Sequence, residues 1–457
     1  MTRTTRAVAW LAEYTGGVIA ALGACMLVAY LASVLIFPKP GGRIVVGDAV
    51  HHFVQLRSLV YDRDADFENE YAHLYRLQHP DDPQPDWNEL RTPTGHIRNY
   101  MPVGPALLWA PLYLLISGVL AVLSAAGLAR APDGFEPVLQ LAPGITGVLA
   151  ATAAAWFAWR LAIRLTDRAS AALGALGVWL GTQAIYYSLV SPAYSHAASM
   201  LTSAIVFTHW IEARDQWSWR RAAASGALVG LASLMRWQDA LLLAIPFVES
   251  LRWRGGMPTG RACLAALGAA GAGWLLAFSP QMAIWQVLYG SPFTVPQGPS
   301  FMQWLAPNPW AVLWAAKHGL FSWSPLLLLA GAGLVSLVRR DRSLLLPITC
   351  VVLATWYVNA AVADWWGGEA FGARRFLSLF PLFVVGLAAW VRPSLQAGRS
   401  GRAILVLGLV VANGLFLIQY QVFMKGLLRL PYPDRSWFDL WLMRFVVPFR
   451  LIGQWLR

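Results

Sequence analysis

The residues of this chain that can do chemistry sit in short polar islands between long apolar runs. The first island is Gly47-Asp48-Ala49-Val50-His51-His52, about ten residues beyond the first apolar run. A carboxylate at that place, where water meets lipid, is suited to take a proton from an attacking hydroxyl. The competing reading of Asp48 is an N-cap of the amphipathic helix predicted to run through Tyr61. The second island, Asp62-Arg63-Asp64-Ala65-Asp66-Phe67-Glu68-Asn69-Glu70, alternates carboxylates as a calcium loop does. Phe67 stands where such a loop needs Gly, and His73 where it needs a bidentate Glu. No cofactor is assigned; Asp62, Asp64 and Asp66 are candidate ligands for a noncanonical divalent ion, set against a solvated acidic turn. His73, His79 and His96 follow no recognised metal spacing. In Arg98-Asn99-Tyr100-Met101-Pro102-Val103-Gly104-Pro105 the prolines keep the chain off a regular helix, and Arg98 and Asn99 are placed to face a headgroup.

Four more islands follow. Tyr194-Ser195-His196 forms a short turn that offers donors to a pocket, without the spacing of a Ser–His–Asp nucleophile system. Arg236 and Asp239, three apart, read as an ion pair on one helix turn. Lys317-His318-Gly319 and Asp364-Trp365-Trp366-Gly367-Gly368-Glu369-Ala370-Phe371-Gly372-Ala373-Arg374-Arg375 are the most informative. The glycines of the second stretch permit close backbone approach to a ligand. Its Trp pair suits an interface or a sugar ring, and Arg374 and Arg375 suit an anionic phosphate. Pairing of those arginines with Asp364 or Glu369 is the competing reading.

The elements that must position these groups follow from composition. Of 457 residues, 57% are hydrophobic and 13% charged, against about 25% charged in a soluble domain. Several apolar stretches exceed the ~18 residues of a membrane span. A soluble α/β enzyme is excluded, and the expectation is an all-α polytopic membrane protein. The 39 Gly and 28 Pro fit kinked, closely packed spans. Cys25, Cys263 and Cys350 lie far apart in apolar segments, so neither a disulfide framework nor a thiol metal site is expected. The N-terminal run lacks a small-residue cleavage site before Pro38-Lys39-Pro40 and reads as a retained span rather than a signal peptide.

About eleven spans are expected, near 13–37, 139–163, 170–190, 195–212, 222–235, 238–250, 261–285, 316–338, 344–362, 376–391 and 403–420. Arg clusters at 160–168, 214–221, 252–261, 339–342 and 392–402 all face the cytoplasm, together with Arg3 and Arg6, if 103–125 does not cross. That stretch is therefore expected to be re-entrant or to lie along the outer surface, with twelve spans as the alternative. The net charge of +12 is then cytoplasmic arginine, and no nucleic-acid partner is expected. Residues 1–420 form the membrane domain, with an extracytoplasmic loop at 38–138 carrying juxtamembrane helices. The tail 421–457 is expected to hold a helix in the interface plane over 437–455.

Carboxylates, cations, aromatics and Gly-rich turns thus gather on the outer side. That combination suits a substrate with a lipid tail and a phosphate-linked polar head. A carboxylate base would activate a hydroxyl acceptor, and fixed cations would stabilise the departing phosphate. The first-loop Asp48, the stretch Asn99…Pro102-Val103-Gly104-Pro105…Pro111 leading into a membrane-hugging helix, and the Tyr194–His196 turn together resemble the GT-C superfamily of integral membrane glycosyltransferases. Within it, the chain is most similar to the bacterial protein-mannosyltransferase and aminoarabinose-transferase-like branch, over most of residues 10–390. The resemblance implies a polyprenyl-phosphate sugar donor, membrane lipids and a hydroxyl-bearing acceptor as partners. It also implies inversion at the anomeric carbon and a site facing outward from a bacterial plasma membrane. Asp48 aligns with the catalytic base, whereas the second acid usual beside it is replaced by Gly47 and Ala49. His51, Arg98, Asn99, Tyr194, His196, Lys317, His318, Asp364, Trp365, Glu369, Arg374 and Arg375 are the expected substrate-binding residues. The rivals are a transporter or flippase of a lipid-linked or anionic solute, which would place ionisable groups near the bilayer midplane, and a lipid-linked glycan polymerase or ligase.

Overall fold

The computed structural model describes residues 3–37, 42–78, 91–252, 259–368, 370–430 and 435–456. Among them every regular element is helical. The first helix, α1 (Arg3–Ile36), leads to α2 (Asp48–Arg57), which runs on through a π turn at Ser58–Asp62, and then to α3 (Glu68–Gln78). Next come α4 (Gly104–Ala125), α5 (Pro137–Leu165), α6 (Arg168–Gly181) and α7 (Ser195–Ala213). α8 (Trp219–Met235) is joined by a 3-10 segment to α9 (Ala244–Arg252), and α10 (Thr259–Tyr289) follows. Two single turns, α11 (Ala311–Trp314) and α12 (Leu320–Trp323), precede α13 (Leu326–Arg340), α14 (Leu345–Ala361), α15 (Phe380–Gln396) and α16 (Gly401–Met424). α17 (Trp437–Trp441) and α18 (Met443–Trp455) close the chain. Polar residues start several of these: Asp167 accepts from the Ser170 N–H before α6, and Ser218 from the Arg221 N–H before α8.

The protein is a multi-pass membrane protein. Seven helices among the described residues are long and apolar enough to cross a bilayer: Trp10–Ile36, Gly104–Ala125, Pro137–Leu165, Gly260–Tyr289, Arg342–Ala361, Arg374–Gln396 and Gly401–Met424. The expected count of about eleven is thus corrected. α6 has 14 residues, α8 17, α9 9 and α13 15. The run 316–338 is broken by Gly319 and Pro325, so only its second half is one helix. α7 carries His196, Ser199, Thr202, Ser203, Thr208, His209 and Glu212 and packs inside the bundle against α5, α8 and α15. A helix surrounded by protein needs neither the hydropathy nor the length that lipid demands.

Small residues set the packing, as they must where lipid offers no hydrophobic drive between helices. α5 turns Ala150, Ala151, Ala154, Ala155, Ala158 and Ala162 inward, all buried, toward α1, α6, α7 and α15. α8 and α10 pack closer still, for a Cβ on Gly226 would run into the Ala270 carbonyl.

The stretch 103–125 is a single 22-residue helix, without the mid-membrane break of a re-entrant segment. It runs alongside α2: Trp109 packs edge-on to His52 at 5.7 Å, and Ser117 bonds Tyr61 at 2.6 Å. The Tyr113 hydroxyl donates to the Gly134 carbonyl at 2.7 Å. The chain leaving α4 therefore returns to the middle of that helix before α5 begins.

The Arg-rich connections meet at one end of the bundle. Arg164 pairs with Glu212 at 2.5 Å, Arg214 with Asp341 at 2.8 Å and Arg392 with Asp167 at 3.5 Å, while Arg252 donates to the Ser343 carbonyl at 2.7 Å. The polar islands of the sequence lie at the other ends of the same helices. Along the 19 residues of α7, at 1.5 Å per residue, the two ends are about 28 Å apart. In the tail, α18 docks on α16 through Met443, Arg444 and Val447, and exposes Phe445, Phe449 and Ile452. The Arg444 guanidinium is 1% exposed and lies over Phe416 at 4.3 Å and Trp441 at 4.2 Å.

Candidate functional site

Asp48 is the first residue of α2, and its carboxylate does not cap that helix: the N-cap is Gly47, with no side-chain cap bond. Gly47 has φ 57°, and a Cβ there would strike the Tyr194 hydroxyl. Only Gly gives both this left-handed backbone and this close approach. The Asp48 carboxylate turns instead to Arg374, with which it forms a hydrogen-bonded ion pair across 326 positions. Burial pushes the Asp48 carboxyl up. The charge and hydrogen bond of Arg374, helped by His51 and His52, outweigh it and hold the group below the usual carboxylate range.

The 364–375 loop places that cation. Gly367 and Gly368 have φ 77° and 72°, and a Cβ on Gly367 would lie 3.5 Å from Arg374 Nε. Arg375 donates to the Asp364 carboxylate at 2.7 Å and to the Asp364 carbonyl at 2.6 Å, closing the loop on itself. Trp365 and Trp366 stand edge to face at 5.6 Å. Lys317 lies 4.0 Å above the Trp366 ring, and His318 bonds the Trp366 carbonyl at 2.8 Å. Trp365, Trp366, Gly367, Arg374 and Arg375 line a shallow recess that opens to solvent. The two cations and two indoles around this opening are groups of the kind that pair with an anion and stack on a ring. Of the expected residues, Glu369 lies outside the described ones.

One turn along α2, His51 is bonded to the Tyr71 hydroxyl at 2.6 Å, and its carbonyl accepts from Asn99 at 2.8 Å. Tyr100 packs on the His51 ring at 4.9 Å. Asn99 therefore holds α2 in place and does not reach toward the recess. Arg98 makes no ion pair or hydrogen bond among the described residues. His52, which the sequence reading passed over, is fully buried; its Nδ1 meets the Pro102 carbonyl at 2.8 Å and so carries the proton, leaving Nε2 as an acceptor. Burial is the first cause that drives its pKa down to about 4. The i, i+4 spacing from Asp48, on one face of α2, is the signal that finds it.

Tyr194 and His196 join the site from α7. Arg374 lies 5.9 Å over the Tyr194 ring, and His196 packs 4.3 Å from Tyr187. Arg236 also arrives here, where no site residue was expected. The reading of Arg236 and Asp239 as an ion pair on one helix turn is corrected, because α8 ends at Met235 and Arg236 is extended, with φ −151° and ψ 124°. Arg236 reaches Ser195 Oγ and His196 Nδ1, each at 3.1 Å, while Asp239 accepts from Ser199 Oγ at 2.6 Å. Gln238 donates to the Arg375 carbonyl at 2.6 Å, tying the two stretches together.

Asp62, Asp64 and Asp66 do not converge. Asp62 pairs with Arg57 and accepts from Asn69 at 2.7 Å. Asp64 accepts from Ser58 Oγ at 2.7 Å, and Asp66 from the Glu68 N–H at 3.2 Å. Among the described residues no group of three His, Cys, Asp or Glu is placed to hold a metal ion, and the candidate metal site is corrected to an acidic turn. Beneath it, Arg57 also holds Glu70 at 2.9 Å. Glu70 is fully buried, and burial, only partly offset by Arg57, pushes its carboxyl up to about 7.

No protein-family model matches the sequence, and no curated protein sequence does. Among solved structures, the chain is similar to a crystal structure of the Archaeoglobus fulgidus oligosaccharyltransferase in complex with Zn and sulfate. The identity is 12% and the TM-score 0.43, over 90% of this chain and 58% of that one. This chain thus spans little more than half the length of that protein. At that level of likeness the chemistry has to be read from this chain's own residues.

Proposed function

We propose that the chain is an inverting glycosyltransferase of the GT-C type, moving a sugar from a polyprenyl-phosphate-linked donor to a hydroxyl acceptor, whether lipid, glycan or protein. The observation that carries the reading is the meeting of Asp48 with Arg374 beside Arg375, Trp365 and Trp366. Two guanidiniums line an opening at one end of an apolar bundle, and the Asp48 carboxylate pairs with one of them. The Arg-rich end, by the positive-inside rule, is cytoplasmic, and the site then faces outward from a bacterial plasma membrane. A transporter needs its ionisable groups near mid-membrane between broken helices; the gathering of these groups at one end favours the transferase.

In the reaction, the acceptor oxygen attacks the anomeric carbon from the face opposite the phosphate. The new C–O bond forms as the bond to the phosphate oxygen breaks. The electron pair leaves on the lipid phosphate, whose growing charge Arg374 and Arg375 stabilise. Asp48 takes the hydroxyl proton. Before substrate arrives, Asp48 is engaged by Arg374 and is a poor base. A donor phosphate competes for that guanidinium, frees the carboxylate and raises its affinity for a proton as the base is needed. Trp365 or Trp366 stacks on the sugar ring.

The test is incubation of the purified protein with a panel of radiolabelled polyprenyl-phosphate sugars and membrane lipid extract, wild type beside Asp48→Asn. The expected result is a labelled product that falls ~10²–10⁴-fold in the variant. Unchanged turnover in Asp48→Asn removes Asp48 as the base, and no turnover with any donor sinks the transferase.

A further inference from the structure

Among the described residues, one guanidinium of the proposed site has no carboxylate in contact with it. Among the described residues three guanidiniums converge on that site: Arg374, paired with Asp48; Arg375, paired with Asp364; and Arg236. Among the described residues Arg236 makes no ion pair; the buried Asp239 is the main opposite charge acting on it, without contact. Its acceptors are the neutral Ser195 Oγ and His196 Nδ1 at 3.1 Å, and Gln238 Oε1 at 3.4 Å. A guanidinium can only donate, so His196 presents a lone pair to it and is uncharged there. Asp239 spends one carboxylate oxygen on Ser199 at 2.6 Å and offers Arg236 no direct contact. Arg236 and Arg374 bear on the same Tyr194–His196 turn, one through Ser195 and the other over the Tyr194 ring. Through Gln238, Arg236 is tied to the backbone of Arg375.

A guanidinium held by neutral acceptors at the edge of an anion site exchanges them readily for a charged oxygen, since charge-assisted bonds are roughly twice as strong. We infer that Arg236, with Ser195 and His196, forms a second anion subsite beside Arg374 and Arg375, and that it takes an oxyanion of the phosphate class. This rests on the transferase reading only for the source of the anion, which is either the second phosphate of a diphosphate-linked donor or a phosphate carried by the acceptor. In both cases the substrates bring two negative groups to the site.

The subsite is tested by equilibrium dialysis of the full-length protein in detergent against radiolabelled inorganic phosphate and pyrophosphate. If the donor supplies both charges, pyrophosphate binds at least ~10-fold more tightly than phosphate, and Arg236→Gln removes that preference while phosphate binding persists. If the acceptor supplies the second, two phosphates bind per chain without a pyrophosphate preference, and Arg236→Gln loses one of them. Arg236→Lys keeps the charge and retains the wild-type pattern. A folded Arg236→Gln that binds both ions as the wild type does overturns the subsite. So does a folded Arg236→Lys that behaves like Arg236→Gln, because Arg236 then only shapes the end of α8. Failure of the wild type to bind either ion overturns it as well. Failure of sugar transfer with intact anion binding sinks the transferase and leaves the subsite standing.

Discussion

Arginines crowd both ends of this bundle, and the two ends differ in the partners those arginines have. At one end Arg164 faces Glu212 in a pair open to water, and Arg214 faces Asp341 in a partly covered one. Exposed pairs of this kind contribute about 0–1 kcal/mol each. At the other end Arg374 and Arg375 are half-buried, each with a carboxylate from its own or a distant loop, and among the described residues Arg236 bonds neutral partners alone. Half-burial makes the same side chain worth more to an incoming anion, because less water screens it.

Substitutions at the two ends should break this contrast in order of size, after the loss of transfer set out for Asp48→Asn. Arg374→Ala should lower kcat/KM for donor ~10²-fold, mostly through KM. It should also move the acid limb of the pH–rate profile upward, since Arg374 holds Asp48 below the usual carboxylate range. An unmoved limb would separate Asp48 from the rate. Gly47→Ala forces a Cβ onto the Tyr194 hydroxyl at a positive φ, with a cost of about 1–2 kcal/mol from the backbone alone. Transfer should fall ~10-fold, and adding Tyr194→Phe should restore part of it.

The smaller effects concern stability. Glu70, pushed up to about 7 by burial, binds its proton more tightly folded than unfolded. Its contribution is therefore complete below the ordinary glutamate range and is lost as pH rises through about 7. Melting in detergent should show a downward slope between about pH 4.5 and 7 that Glu70→Gln flattens, by a degree or two in Tm. Arg164→Ala, at the opposite end, should leave transfer unchanged and melting within about 1 °C, since its pair with Glu212 is exposed. A large loss of activity there would erase the contrast between the ends.

The membrane class was legible in the sequence because apolar runs of this length have no soluble use. Asp48, Arg374 and Arg375 stood out for a similar reason, as charges where charge is costly. The contact between Asp48 and Arg374 was not legible, since a bond across 326 positions leaves no local pattern. Arg236 was misread because a spacing of three places two residues on one face only while the helix continues, and α8 stops one residue too soon. The count of spans failed where short helices such as α6 are covered by protein instead of lipid. In the same way, alternating carboxylates at 62–66 resembled a ligand set, while each in fact serves its own turn.

The separation of 326 positions between Asp48 and Arg374 also has a consequence in time. At ~5–20 residues per second of synthesis, the carboxylate emerges roughly a quarter to a whole minute before the cation that completes its ion pair. Through that interval α2 must be kept in shape by its own neighbours. Phe53, Phe67, Trp109, Tyr113 and Leu139, which cluster around it, are nearly all made soon after it. Until the 364–375 loop is made, such early neighbours must hold α2 while the Asp48 carboxylate has no Arg374 to pair with.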